Sequence, residues 1–169
     1  MEYLVIDGYN IIHAWCDIFN LREEPLEDCR TRFLNILSNY QGYKKANVIV
    51  VFDAHLVKGS QVKHESFDKI TVVFTKENET ADNYIERFVY KKASTNRVRV
   101  ATSDYLEQTI VLSNGGIRMS ARELREEVFS ASKDSKGNLQ SLKRSSNTIM
   151  ENVSPELLEV LEKIRREGR

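Results

Sequence analysis

Leu4-Val5-Ile6-Asp7-Gly8-Tyr9-Asn10 carries the reading of the fold. Three apolar residues after Tyr3 run without alternation and stop on a carboxylate, followed at once by a glycine. A strand that is apolar at consecutive positions is covered on both faces, which is the habit of parallel sheets flanked by helices. The pattern recurs. Val48-Ile49-Val50-Val51-Phe52 ends on Asp53, and Val98-Arg99-Val100-Ala101 leads through Thr102-Ser103 to Asp104. Ile70-Thr71-Val72-Val73-Phe74 is followed by a segment that reaches Asp82. A fifth, short strand is predicted over 117–119.

Helical patterns separate these runs. Pro25 suits a first helical turn, and Leu26, Cys29, Phe33, Leu37 and Tyr40 form a stripe at helical spacing, with Gly42 as the stop. Thr80 fits an N-cap that places Asp82 in the first turn of the next helix. Ser103 is predicted to cap the helix opening at Asp104, which ends at Gly115-Gly116. Ser120-Ala121-Arg122-Glu123 has the form of a capping box for a helix running to about Ala131. Residues 54–69 are polar and fit a loop or an irregular hairpin. The segment 132–148 reads as a mobile polar loop, and Ser154-Pro155 opens a helix, about 154–167, that docks through Leu157, Leu158, Leu161 and Ile164. Strands alternating with helices predict an α/β domain with an open parallel sheet spanning 1–169.

Composition narrows the function. The chain of 169 residues has zero formal net charge and two cysteines, Cys16 and Cys29, both in stretches expected to be helical. That fits a reduced cytoplasmic protein better than a disulfide framework or a zinc site. The start lacks a signal-peptide pattern and no run is long enough to span a membrane. Charge is unevenly placed. Residues 1–82 hold 9 Lys+Arg against 13 Asp+Glu, and residues 83–169 hold 16 against 12. An acidic site beside a more basic half suits a metal-dependent nuclease, although chance partition gives the same numbers.

The strand ends of an open α/β sheet line its ligand crevice. Asp7, Asp53, Asp82 and Asp104 are therefore expected to converge there. Each alone is also an ordinary cap or turn residue. Together they repel one another unless a cation lies among them, and an all-oxygen set suits Mg²⁺ or Mn²⁺. Asn10 can orient a water or a carboxylate without adding charge, and Ser103 can hold the Asp104 backbone. An ion in such a site activates water for in-line attack on a phosphodiester, leaving 5′-phosphate and 3′-hydroxyl ends. Candidate RNA contacts are Lys91, Lys92, Arg97, Arg99, Arg118, Arg122, Arg125, Lys143 and Arg144, with Tyr9 and Tyr105 as stacking surfaces. Arg99, inside a strand, needs a partner, either substrate or a nearby acid. No Gly-rich phosphate loop is present. Two other classes remain open: a phosphoacceptor signalling domain with Asp53 as acceptor, and a non-catalytic RNA- or ribosome-binding module.

The blocks Leu4 to Ile12, Val50 to Ala54, Glu79 to Glu86 and Ala101 to Asp104, in that order, resemble the YacP-like branch of the NYN domains, which are PIN-like ribonucleases. The segment Gly115-Gly116-Ile117-Arg118-Met119-Ser120-Ala121 also fits. The resemblance implies a three-layer fold with strand order 3-2-1-4-5, and Mg²⁺ or Mn²⁺ held by Asp7, Asp53, Asp82 and Asp104. It implies Asn10 and Ser103 in support, and endonucleolytic cleavage of messenger RNA in association with the ribosome. Asp53 departs from the usual PIN placement of the acids.

Overall fold

The computed structural model describes residues 1–44, 46–53, 62–76 and 78–131. The described elements all belong to one compact unit, Met1–Ser132. The loop expected at 132–148, the helix expected at 154–167, and Lys143 and Arg144 lie outside the described residues.

The elements run β1 (Glu2–Asp7), α1 (Gly8–Ala14), α2 (Leu26–Lys44), β2 (Asn47–Phe52), β3 (Lys63–Phe67) and β4 (Ile70–Phe74). Then follow α3 (Ala81–Lys92), β5 (Arg97–Ala101), α4 (Tyr105–Ser113), β6 (Ile117–Met119) and α5 (121–131). The sheet order is β3-β4-β2-β1-β5-β6, with β3 antiparallel to β4 and every other pair parallel. Numbered among the parallel strands alone, this is the expected order 3-2-1-4-5.

Both faces of the sheet are buried, which explains the unbroken apolar runs. Leu4, Ile6, Val48, Val50, Phe52 and Val72 face a layer that includes Ile11, Ile12, Phe33, Leu37 and Leu124. Val5, Ile49, Val51, Val73, Val98 and Val100 face the layer of Ala81, Ile85, Val89 and Val111. Successive residues of a strand point to opposite faces, so one strand feeds two cores. Trp15 is pinned inside the first core by its indole N–H, which donates to the Ala121 carbonyl at 2.9 Å.

Several local expectations change. β3 falls in the stretch read as loop or hairpin. Its Lys63-His64-Glu65-Ser66 side chains are exposed, so it carries no apolar signature and is held by its backbone ladder to β4. The tight turn joining them uses Asp68 at φ 51°. Helix α2 runs through Gly42 to Lys44, because a glycine inside a helix weakens it without ending it. Leu26 of the predicted stripe is exposed, and Cys16 lies in the turn after α1 rather than in a helix. Of the two partners expected for Arg99, substrate or a nearby acid, the fold supplies acids: Nη1 lies 2.8 Å from Glu127 Oε2 and Nε 3.0 Å from Glu2 Oε1. Among the described residues no helix is long and apolar enough to cross a membrane.

Candidate active site

β1 lies at the middle of the sheet, between β2 and β5. Its register sets Asp7 opposite Val51 and Ile6 opposite Ala101. Asp7 therefore stands at the carboxyl edge, beside the chain as it leaves both neighbours. It is buried, and its Oδ1 accepts the Asn10 backbone N–H at 3.2 Å, which caps α1. Cap and site residue are one and the same.

The residue after Asp7 is a glycine for a steric reason. Its backbone is of the ordinary kind, but a Cβ there would lie 2.3 Å from Phe52 Cε1. The glycine is needed for room: it lets α1 start against the Phe52 ring, which in turn packs on Tyr9 at 4.8 Å between centroids.

Asp82 enters from α3. Thr80 is the N-cap as expected, its Oγ1 accepting the Asn83 N–H at 3.2 Å. Asp104 enters from α4 as the N-cap itself, replacing Ser103 in that role. Its Oδ1 accepts the N–H groups of Leu106 at 2.7 Å and Glu107 at 3.3 Å. Ser103 is freed from capping because its own N–H and Oγ both donate to Asn10 Oδ1, the N–H at 2.6 Å. Thr102 Oγ1 lies 3.3 Å from the same oxygen and accepts the Asp104 N–H at 3.1 Å. Asn10 thus ties α1 to the loop that presents Asp104.

Glu107 is the residue that sequence reasoning passed over. Ligand oxygens of Asp7, Asp82 and Glu107 all lie within 4.8 Å of one another. Asp104-x-x-Glu107 has the spacing of a capping box, in which the glutamate would reach back to the cap N–H. Here that N–H is taken by Thr102, and the Glu107 side chain turns into the protein, where neither carboxylate oxygen finds a hydrogen bond of normal geometry.

The electrostatics follow from this crowding. Burial pushes the Asp7 carboxyl up to about 6, against the Asn10 hydrogen bond and helped by the charges of Asp82, Asp53 and Asp104. Burial likewise pushes Glu107 up to about 8; the Thr102 hydroxyl beside it acts the other way, and Asp7, Asp82 and Asp104 push it further. Asp82 is raised by burial and then by Asp104 and Asp53. Among the described residues no lysine or arginine forms an ion pair with Asp7, Asp82, Asp104 or Glu107. Asp53 and Asp104 stand outside the tightest trio but close enough for their charges to act on it.

The family model of the YacP-like NYN domain matches residues 4–166. The chain belongs to that family. A curated relative, the uncharacterized protein YacP of Bacillus subtilis (strain 168), is 38% identical over 167 residues, 98% of either chain. The crystal structure of Rae1 (YacP) from Bacillus subtilis superposes with a TM-score of 0.72 at 38% identity, covering 98% of this chain and 95% of that one. The crystal structure of a mutant of the same Bacillus subtilis protein gives a TM-score of 0.65 at 35% identity, covering 93% of this chain and 88% of that one. A YacP-like NYN domain is a nuclease-type fold.

The remaining residues singled out from the sequence are dispersed over this YacP-like domain. Lys91 and Lys92 lie in the last turn of α3, where cations complement the helix dipole. Arg118 sits 3.7 Å from Glu123, and Arg122 3.0 Å from Glu126. Arg125 grips Asp17 with both guanidinium nitrogens, at 2.8 and 2.6 Å. The capping box at Ser120 and Glu123 forms as read, Ser120 N–H donating to Glu123 Oε2 at 2.7 Å.

Proposed function

We propose that this chain is a divalent-metal-dependent endoribonuclease. The observation that supports it is the convergence of Asp7, Asp82 and Glu107 with no cation of the described protein among them. The buried Glu107 carboxylate lacks hydrogen bonds of normal geometry, which is costly for a charged group, and a doubly charged ion held by oxygen ligands removes both the repulsion and that deficit. The donor set is all oxygen, which suits Mg²⁺ or Mn²⁺.

Asp7, Asp82 and Glu107 would hold the ion, with Asp53 and Asp104 adding negative charge around it. When bound, such an ion makes water a better nucleophile at neutral pH and neutralises charge on the phosphate. The chain supplies the rest. Asp7 is fixed by its cap bond to Asn10. Asp104 fixes the first turn of α4 and so the backbone of Glu107. Asn10 and Ser103 hold that loop against α1. Without a cation, Glu107 keeps its proton at neutral pH. Messenger RNA as substrate, the ribosome as partner and a cytoplasmic location extend the reading and rest on the family resemblance. The phosphoacceptor alternative would need a lysine after the last strand; residues 117–121 offer only Arg118, which lies within β6 and is turned to Glu123 and Gln108.

The test offers free and translated RNA with Mg²⁺, Mn²⁺ or chelator and maps the ends. Metal-dependent cuts with 5′-phosphate and 3′-hydroxyl ends are expected, and they vanish in Asp7→Asn and Asp82→Asn. Variants that both cut at the parental rate would sink the proposal.

A further inference from the structure

We infer that the cleft between α3 and α4 receives one unpaired guanine beside the phosphodiester being cut, and this rests on the nuclease reading above. The cleft has a volume of about 260 Å³ and its lining includes the site acids Asp82, Asp104 and Glu107. Pockets for drug-sized ligands run from about 300 Å³ upward, so the space suits a single flat base rather than a longer segment.

Its two walls differ. On the α4 side stand Leu106, 72% exposed, and Ile110, 39% exposed. Large apolar groups facing water next to a highly charged site are available to pack against a ring. On the α3 side stand Asn83 and Glu86. No lysine or arginine of the described residues pairs with Glu86. A carboxylate there repels a phosphate, so whatever part of the substrate meets Glu86 is a hydrogen-bond donor. The nucleotide whose phosphate lies over the acids carries such a group in its base, and unpaired RNA bases are read along their Watson–Crick edges.

The chemistry selects among the four bases. A carboxylate only accepts. Guanine presents N1–H and the 2-amino group side by side, which match two carboxylate oxygens, and its O6 can take a donor from the Asn83 carboxamide. Uracil offers one imino N–H between two carbonyls. Adenine and cytosine each offer an amino group with a ring acceptor beside it, which would face the carboxylate.

The experiment follows the Leu106 and Ile110 methyl NMR signals of the full chain in Mg²⁺ during titration with each of the four nucleoside 5′-monophosphates. Guanosine monophosphate is expected to shift both signals and to bind about five- to 150-fold more tightly than the others, the range for a good bidentate base contact. In Glu86→Gln that ratio should collapse toward one, with the circular dichroism spectrum unchanged. Equal affinities for all four nucleotides, no shift at either methyl, or a preference that survives in Glu86→Gln would overturn the inference. Cleavage by Asp82→Asn, assayed alongside, reports on the nuclease reading separately: its loss keeps that reading whatever the nucleotides do.

Discussion

The Asn10 carboxamide oxygen accepts the Ser103 backbone N–H at 2.6 Å, joining residues 93 positions apart in sequence. The Ser103 hydroxyl and the Thr102 hydroxyl converge on the same oxygen. One neutral side chain thereby carries the position of the loop that presents Asp104.

Asn10→Ala removes the acceptor and leaves these donors unmatched. The exposed Ser103 donors can turn to water, so the expected loss of stability is about 0.5–1.5 kcal/mol, read as a lower urea midpoint. Cleavage should fall by on the order of 100-fold, because a shift of about 1 Å in the positioning of acids costs that much. A variant with parental midpoint and parental rate would show that the loop is held elsewhere.

Gly8→Ala should destabilise by about 1–3 kcal/mol, since the new methyl would press into the Phe52 ring. Pairing it with Phe52→Leu, which removes the ring atoms in the way, should give a loss smaller than the two single losses combined. Strict additivity of the urea midpoints would mean that Gly8 is needed for some other reason.

The raised carboxyls predict an unusual pH dependence in chelator. The native state holds protons on Asp7 up to about pH 6 and on Glu107 up to about pH 8, whereas the ordinary values are 3.8 and 4.5. Between about pH 4 and 8 the folded chain binds more protons than the unfolded one, so its stability falls as pH rises, by at most about 1.4 kcal/mol per pH unit for each carboxyl. Glu107→Gln needs no proton to be neutral. In EDTA at about pH 8.5, above both raised values, it should unfold at higher urea than the parent, and at about pH 5 it should not. Adding Mn²⁺ at the higher pH should raise the parental midpoint and move the variant's much less. A parental stability that climbs across this range in EDTA would contradict the assignment.

Arg99 is expected to matter for folding and not for RNA. Its side chain is 11% exposed and lies against Glu2 and Glu127. Its Nη2 also donates to Tyr40 Oη at 3.4 Å. Burial alone would raise Glu127, yet Arg99 and Tyr40 hold it below its ordinary value. Arg99→Leu leaves these partly exposed acids without their cation and should cost about 1–3 kcal/mol. The salt dependence of RNA binding should keep its slope, since no phosphate contact is lost. A reduced slope would return Arg99 to the RNA-facing set.

Much of this architecture was legible from residues 1–131. The doubly buried strands announced themselves because burial on both faces demands uninterrupted apolar residues, and Thr80 and Ser120 marked helix starts because caps are local chemistry. β3 was not legible, since an exposed edge strand is specified by its neighbour's backbone and not by its own side chains. Glu107 was hidden for a related reason. Its spacing from Asp104 is that of a cap, and only the capture of the Asp104 N–H by Thr102 sends it inward.

The order of polar and apolar residues along the chain determined that a parallel sheet would form and that Asp7, Asp53, Asp82 and Asp104 would sit at or near strand ends. That much follows from short-range rules of periodicity and capping. Which carboxylates come within a cation's reach was decided by the three-dimensional packing, because it depends on how α1, α3 and α4 are seated around the end of β1. No spacing in the sequence encodes those distances.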